Sequence, residues 1–145
     1  MTMLECHVEA QRIDSHKSRA TCKNAALVLD TEMRARADTF NPAELLLAAI
    51  AACMLKGTER VTPALGFRLR GCEMQVRGVR SENPPKTTSI EDKLIVDSDA
   101  NDHRLELLRT NVCKYGTVFN TVAPGTSLSR SISRFSNAAD RHQDA

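Results

Sequence analysis

The chain has 145 residues, a formal net charge of +2, and only four Phe, one Tyr and no Trp. That length suffices for one domain with a buried core. Scattered Lys and Arg argue against an electrostatic nucleic-acid footprint, and the scarcity of rings argues against a stacking platform for single strands.

No charged n-region with an apolar h-region opens the chain, so no signal peptide is expected. The five cysteines (Cys6, Cys22, Cys53, Cys72 and Cys113) form no C-x-x-C pair and read as reduced cytosolic thiols. A zinc site from Cys6, His7 and Cys22 lacks a fourth ligand and closer spacing. A single domain over 1–135 is expected, followed by a polar, disordered tail over 136–145.

Met1 to Arg12 alternates loosely and predicts a strand. Asp14 to Ser18 is a polar turn. Arg19 to Lys23 and Ala25 to Leu29 predict two more short strands, giving a hairpin or three-stranded meander. Thr31 to Thr39 carries Arg34, Arg36 and Asp38 without a periodic apolar face. It reads as a loop feeding the next element, a common place for functional side chains.

That element is NPAELLLAAIAACMLKGTER, Asn41 to Arg60. Asn41 suits a helix cap, Pro42 the first helical position, and Glu44 the return half of a capping box. Every residue from Leu45 to Leu55 is apolar, which predicts a helix buried on all sides. The run is shorter than the roughly 18 residues of a membrane span. Its alanines allow close approach of another backbone. Lys56, Glu59 and Arg60 return the helix to water.

Phe67 and Leu69 share one parity and Cys72, Met74 and Val76 the other, so one long strand with a bulge at Gly71 is expected. Pro84-Pro85 marks a turn. Thr88, Ile90, Leu94 and Val96 alternate on one face, with Asp92 the exception, and an antiparallel hairpin follows. Leu105, Leu108 and Val112 predict a second helix from about Asp102 to Tyr115, ended by Gly116 in a left-handed conformation. Val118 to Val122 reads as a short turn, Pro124-Gly125 as a firm one, and Leu128 and Ile132 as one face of a last strand. The order of elements is α+β.

The helix Asn41 to Cys53, NPAELLLAAIAAC, resembles the N-P-x-E/Q-L-hydrophobic-A-A-x-x-x-C helix of the OsmC/Ohr family, the osmotically inducible and organic hydroperoxide resistance proteins. The surrounding order of elements is similar as well. The resemblance implies an OsmC-like fold, with antiparallel sheets wrapped around a long buried central helix, in an intertwined homodimer. It also implies a chemistry. A helix cysteine attacks an organic hydroperoxide and becomes a sulfenic acid, a second cysteine forms a disulfide with it, and an external thiol restores both. No metal or organic cofactor is implied, and no nucleic-acid or membrane partner.

Cys53 stands at the attacking position. Arg36 and Arg34 are the candidates for the arginine that the family places beside the thiol. Ala43 stands where peroxidase members carry an assisting glutamate, and Glu44 is one step, about 100°, round the helix. Aligning KYGTV with the family's second-cysteine segment puts Gly116 at that cysteine. Cys113, three residues earlier, either substitutes for it or fills core space.

Read without the resemblance, Cys53 is a small hydrophobe whose reactivity needs a cation supplied by tertiary structure. Two functions follow. One is a cytoplasmic, thiol-dependent peroxidase acting on organic hydroperoxides. The other is a non-peroxidase OsmC-like protein that binds or senses a small apolar ligand at the dimer interface.

Overall fold

The computed structural model describes residues 3–135. The expected tail over 136–145 lies outside the described residues. The chain divides into two compact units, with the boundary between Leu46 and Leu47.

The first unit holds a three-stranded antiparallel meander. Its strands are β1 (Glu9–Arg12), β2 (Lys17–Cys22) and β3 (Ala25–Asp30), in the order β1-β2-β3. Asp14 closes the first turn, its Oδ1 accepting the His16 and Lys17 N–H groups at 2.8 and 3.0 Å. Lys23, at φ 56°, supplies the left-handed residue of the tight β2–β3 turn. After β3 the chain is pinned by buried Asp30. Its carboxylate accepts the backbone N–H of Glu32 at 3.0 Å and of Arg36 at 2.9 Å. The 31–39 stretch is a loop, as expected, and this carboxylate sets its path.

Helix α1 (Pro42–Val61) starts at the anticipated capping box. The Glu44 N–H donates to Asn41 Oδ1 at 2.8 Å, and the Asn41 N–H donates to Glu44 Oε1 at 3.1 Å. Ile50, Met54, Gly57, Thr58 and Val61 are buried and fall on one stripe. Leu46 and Ala52 remain exposed in the single chain. The helix is therefore covered on one side, not on all sides, by the chain that carries it.

The second unit carries a sheet of order β4-β5-β6, with β4 at Gly71–Glu82, β5 at Pro85–Asp97 and β6 at Ser127–Arg134. β4 and β5 form the expected antiparallel hairpin, whereas β6 lies parallel to β5. The hairpin departs from expectation at two places. β4 begins at Gly71, because the chain before it turns: the Phe67 N–H donates to Thr62 O at 2.9 Å. The register shift lies between Val79 and Arg80, not at Gly71.

Ile90, Leu94 and Val96 of β5 join Leu105, Leu108 and Val112 of helix α2 (Asp102–Lys114) in one core, together with Ile50, Met54 and Val61 of α1. Helices α1 and α2 meet closely at Gly57, where a Cβ would stand 3.1 Å from Val112 Cγ1. Any larger residue there would push the helices apart. Val118 to Val122 is helical, not a turn: it belongs to α3 (Thr117–Val122), which runs into a short 3₁₀ turn at Ala123–Gly125.

Gly116 does not end α2 in a left-handed conformation. Its φ of −82° and ψ of 111° are open to any L-residue, and it serves as the N-cap of α3. The reason for glycine there is lateral. A Cβ would stand 3.1 Å from Phe119 Cβ and 3.2 Å from Cys53 Sγ.

Candidate functional site

The contact between Gly116 and Cys53 lies in a cavity of about 390 Å³ inside the second unit. One wall is α1, through Ala49, Ala52, Cys53, Lys56, Gly57 and Arg60. The other is the junction of α2 and α3, through Tyr115, Gly116, Thr117 and Val118. The small side chains of α1 and the missing side chain at Gly116 leave this space open. The floor is apolar, and Cys53 is partly exposed on it.

Lys56 and Arg60 follow Cys53 at i+3 and i+7, which puts all three on one stripe of the helix. Both line the cavity, and among the described residues no acidic side chain lines it with them. Arg60 also reaches the opposite wall, where its Nη1 donates to Tyr115 O at 3.5 Å. The sequence signal for these two cations is their spacing from Cys53. Read only as the point where an apolar run meets water, they were missed as site residues.

Cys113 has a different setting. It is 7% exposed and belongs to the core cluster with Leu108 and Val112. It does not line the cavity. Helix α2 stops at Lys114, so the i to i+3 relation expected between Cys113 and Gly116 is broken by the chain leaving the helix. What remains is a bond from the Gly116 N–H to Cys113 O at 3.3 Å.

The remaining candidates belong to the first unit. Arg36 donates from Nε and Nη2 to the two Asp38 oxygens at 2.9 and 3.0 Å, and its Nη1 lies 3.7 Å from Glu32 Oε2. The Asp38 hydrogen bond raises the Arg36 pKa, and the same bond lowers that of Asp38. Arg34 is exposed. Glu44 has its Oε1 in the helix cap.

Two further titratable groups of the second unit are shifted, half-buried Cys72 and buried Asp92. Burial pushes the Cys72 thiol up to about 11, against a hydrogen bond from Thr58 that favours the thiolate. Asp92, the odd member of the β5 alternation, is 4% exposed. It stands between Val76 of β4 and Arg130 of β6 in the sheet register. Its Oδ2 has no hydrogen-bond partner among the described residues, and Arg130 Nε lies 3.8 Å away. Arg130 is itself stacked on Phe119, with its guanidinium carbon 3.8 Å from the ring centre. Burial pushes Asp92 up to about 6, opposed by the charges of Arg130 and Arg109. Among the described residues, no three His, Cys, Asp or Glu side chains are grouped to hold a metal ion, and no helix is long and apolar enough to cross a membrane.

Two small sheets, a long capped helix and a partly exposed cysteine on that helix, facing a small cavity, define an α+β protein with a thiol in a pocket. A family model described as OsmC-like protein matches residues 35–130, and the chain belongs to that family. Solved structures agree on the fold. An OsmC-like protein from Mycoplasma pneumoniae superposes with a TM-score of 0.85 at 20% identity, covering 92% of this chain and 99% of its own. A hypothetical protein from Aquifex aeolicus VF5 gives a TM-score of 0.81 at 21% identity, with coverages of 92% and 98%. An organic hydroperoxide resistance protein OsmC from Legionella pneumophila gives 0.69 at 17% identity, with coverages of 92% and 99%. No curated protein matches the chain.

Proposed function

We propose that the chain is a cytoplasmic, thiol-dependent peroxidase that reduces organic hydroperoxides at Cys53. The observation that carries this reading is the placement of Cys53. It is the cysteine that lines the cavity, on an apolar floor, with Lys56 and Arg60 on the same stripe of α1. An apolar floor suits the organic part of a hydroperoxide. Structural neighbours described as organic hydroperoxide resistance proteins, from Legionella pneumophila and Bacillus subtilis, support the same reading.

In the proposed cycle the Cys53 thiolate attacks the terminal peroxide oxygen. The O–O bond breaks, the alkoxide leaves and takes a proton, and Cys53 becomes a sulfenic acid. A thiol then displaces water from that sulfur. Arg36 or Arg34, with Glu44, are the assisting groups that the family resemblance suggests, and Cys113 the internal thiol that it suggests. The active species is a homodimer on this reading. Within the second unit, Val79 and Leu107 are exposed in the single chain, and Ala52 of α1 lies open beside Cys53, surfaces a second copy would cover.

The test is consumption of cumene hydroperoxide with dithiothreitol as reductant. Wild type should turn over, and Cys53→Ser should not. Equal rates in the two proteins would remove Cys53 from the chemistry. One observation favours a second reading, binding or sensing of a small apolar ligand without turnover. Gly116 occupies the place of the family's second cysteine, and Ala43 that of its glutamate, while the cavity itself remains open.

A further inference from the structure

We propose that Arg130 is a positioning residue for the cavity beside Cys53: stacked on Phe119 it holds the α3 wall, and ionisation of buried Asp92 draws it off that ring and loosens the wall. The inference rests on the reading of this cavity as the working site and adds what governs its shape. Three observations carry it.

The first is how lightly the wall is held. Helix α3 supplies Thr117 and Val118 to the lining, yet it is six residues long and every one of them is at least partly exposed. Phe119 is the ring that α3 packs against the core. The Arg130 guanidinium carbon stands 3.8 Å from the centre of that ring, the distance of a full stack. Phe119 also abuts Gly116, where a Cβ would stand 3.1 Å from Phe119 Cβ and 3.2 Å from Cys53 Sγ. A displacement of Phe119 is therefore felt by the segment that faces Cys53.

The second is an unfilled acceptor. Asp92 is buried, and its Oδ2 has no hydrogen-bond partner among the described residues. Arg130 Nε lies 3.8 Å from that oxygen, too far for a hydrogen bond, and 13% of the Arg130 side chain is exposed. A protonated carboxyl tolerates the gap. A carboxylate held out of water does not, and a charge-assisted bond of about 2.8 Å would satisfy it. Arg130 must close about 1 Å to make that bond. A guanidinium already in contact with a ring covers such a distance only by sliding or lifting off it.

The third is the charge around the acid. The charged groups that act on Asp92 are Arg130 of β6 and Arg109 of α2, while its β4 neighbour is Val76. Arg109 donates from Nε to Glu106 Oε1 at 2.9 Å and is engaged on its own helix. Arg130 is thus the cation whose position answers to the charge on Asp92. Burial raises the Asp92 carboxyl to about 6, so the acid is neutral below that pH and ionised above it.

The test reads the room beside Cys53 without any peroxide. Reduced full-length protein is labelled with N-ethylmaleimide or with the bulkier N-pyrenylmaleimide between about pH 5 and about pH 8, and the rates are mapped by peptide. Both reagents attack the thiolate, so the ratio of their rates cancels its titration. In the wild type the pyrenyl-to-ethyl ratio at Cys53 should rise about threefold through about pH 6, the order of one guanidinium–ring contact. The ratio at exposed Cys6 should stay level. Asp92→Asn should hold the low ratio at every pH. Arg130→Lys, which keeps the charge but not the planar stack, should hold the high one. A level ratio at Cys53 in the wild type, or a rise of the same size in Asp92→Asn, would overturn the proposal. A protein that never consumes cumene hydroperoxide, yet shows the rise that depends on Asp92, would lose the peroxidase reading and keep Arg130 as the positioning residue.

Discussion

Placing a thiol at position 116 is the sharpest perturbation of the site. In Gly116→Cys the new Cβ stands 3.2 Å from Cys53 Sγ, close to disulfide geometry, and the backbone at φ −82° accepts a side chain without strain. It also stands 3.1 Å from Phe119 Cβ, so α3 must give by a few tenths of an ångström. That crowding should cost the reduced variant about 1 kcal/mol. On oxidation the bond closes a loop of about 64 residues, worth about 4 kcal/mol in the chain-entropy account. The oxidised variant should therefore exceed the wild type by about 3 kcal/mol and its own reduced form by about 4 kcal/mol. Urea unfolding with and without reductant measures both differences. Intact mass after mild oxidation should show the loss of two hydrogens, with the bond mapped between residues 53 and 116. If the introduced thiol and that of Cys53 both remain open to alkylation after oxidation in a folded protein, the juxtaposition on which the site rests is wrong.

Three other outcomes are expected. The folded state raises the Asp92 carboxyl to about 6, so it holds the proton more tightly than the unfolded chain does, and the stability this gives below about pH 4 is lost as pH rises to about 6. That rise corresponds to about 3 kcal/mol; the wild type should lose that much more stability than Asp92→Asn across this range, and parallel urea profiles for the two would contradict the assignment. With its thiol pushed up to about 11, half-buried Cys72 should react with iodoacetamide at about pH 8 far more slowly than exposed Cys6, and equal labelling of the two in the native protein would contradict that shift. Sedimentation should find a homodimer at micromolar concentration, and a stable folded monomer would remove that part of the proposal.

The sequence was most legible where the determinants are local. Asn41 and Glu44 lie three residues apart, and they form the capping box that their spacing predicts. The β4–β5 hairpin follows from alternation in two neighbouring runs. Asp92 announced itself by breaking that alternation. What it faces could not be read, because Arg130 reaches it through a parallel strand 38 positions later in the sequence. Gly116 shows the same limit from another side. A glycine after an amphipathic helix suggests a left-handed stop, which is a local reason. Its actual constraint is the sulfur of Cys53, brought in by packing between α1 and the α2–α3 junction. Lys56 and Arg60 were visible but read as a solvated end, since nothing in a helical sequence tells which neighbour will stand across from it.

The parallel pairing of β6 with β5 has a consequence for how the second unit is made. Antiparallel β4 and β5 can zip from their shared turn as soon as both have emerged, but β6 must wait for α2, α3 and the 3₁₀ turn before it can lie along Ser89–Val96. Until then one edge of β5 offers unpaired backbone groups, and Asp92 has no Arg130 beside it. A nascent chain that has not reached Arg134 thus exposes an apolar strand edge with an uncompensated carboxyl in its middle, a state prone to pairing with other chains. The charge on Asp92 works against such pairing, because stacking like strands edge to edge would bring like carboxylates together.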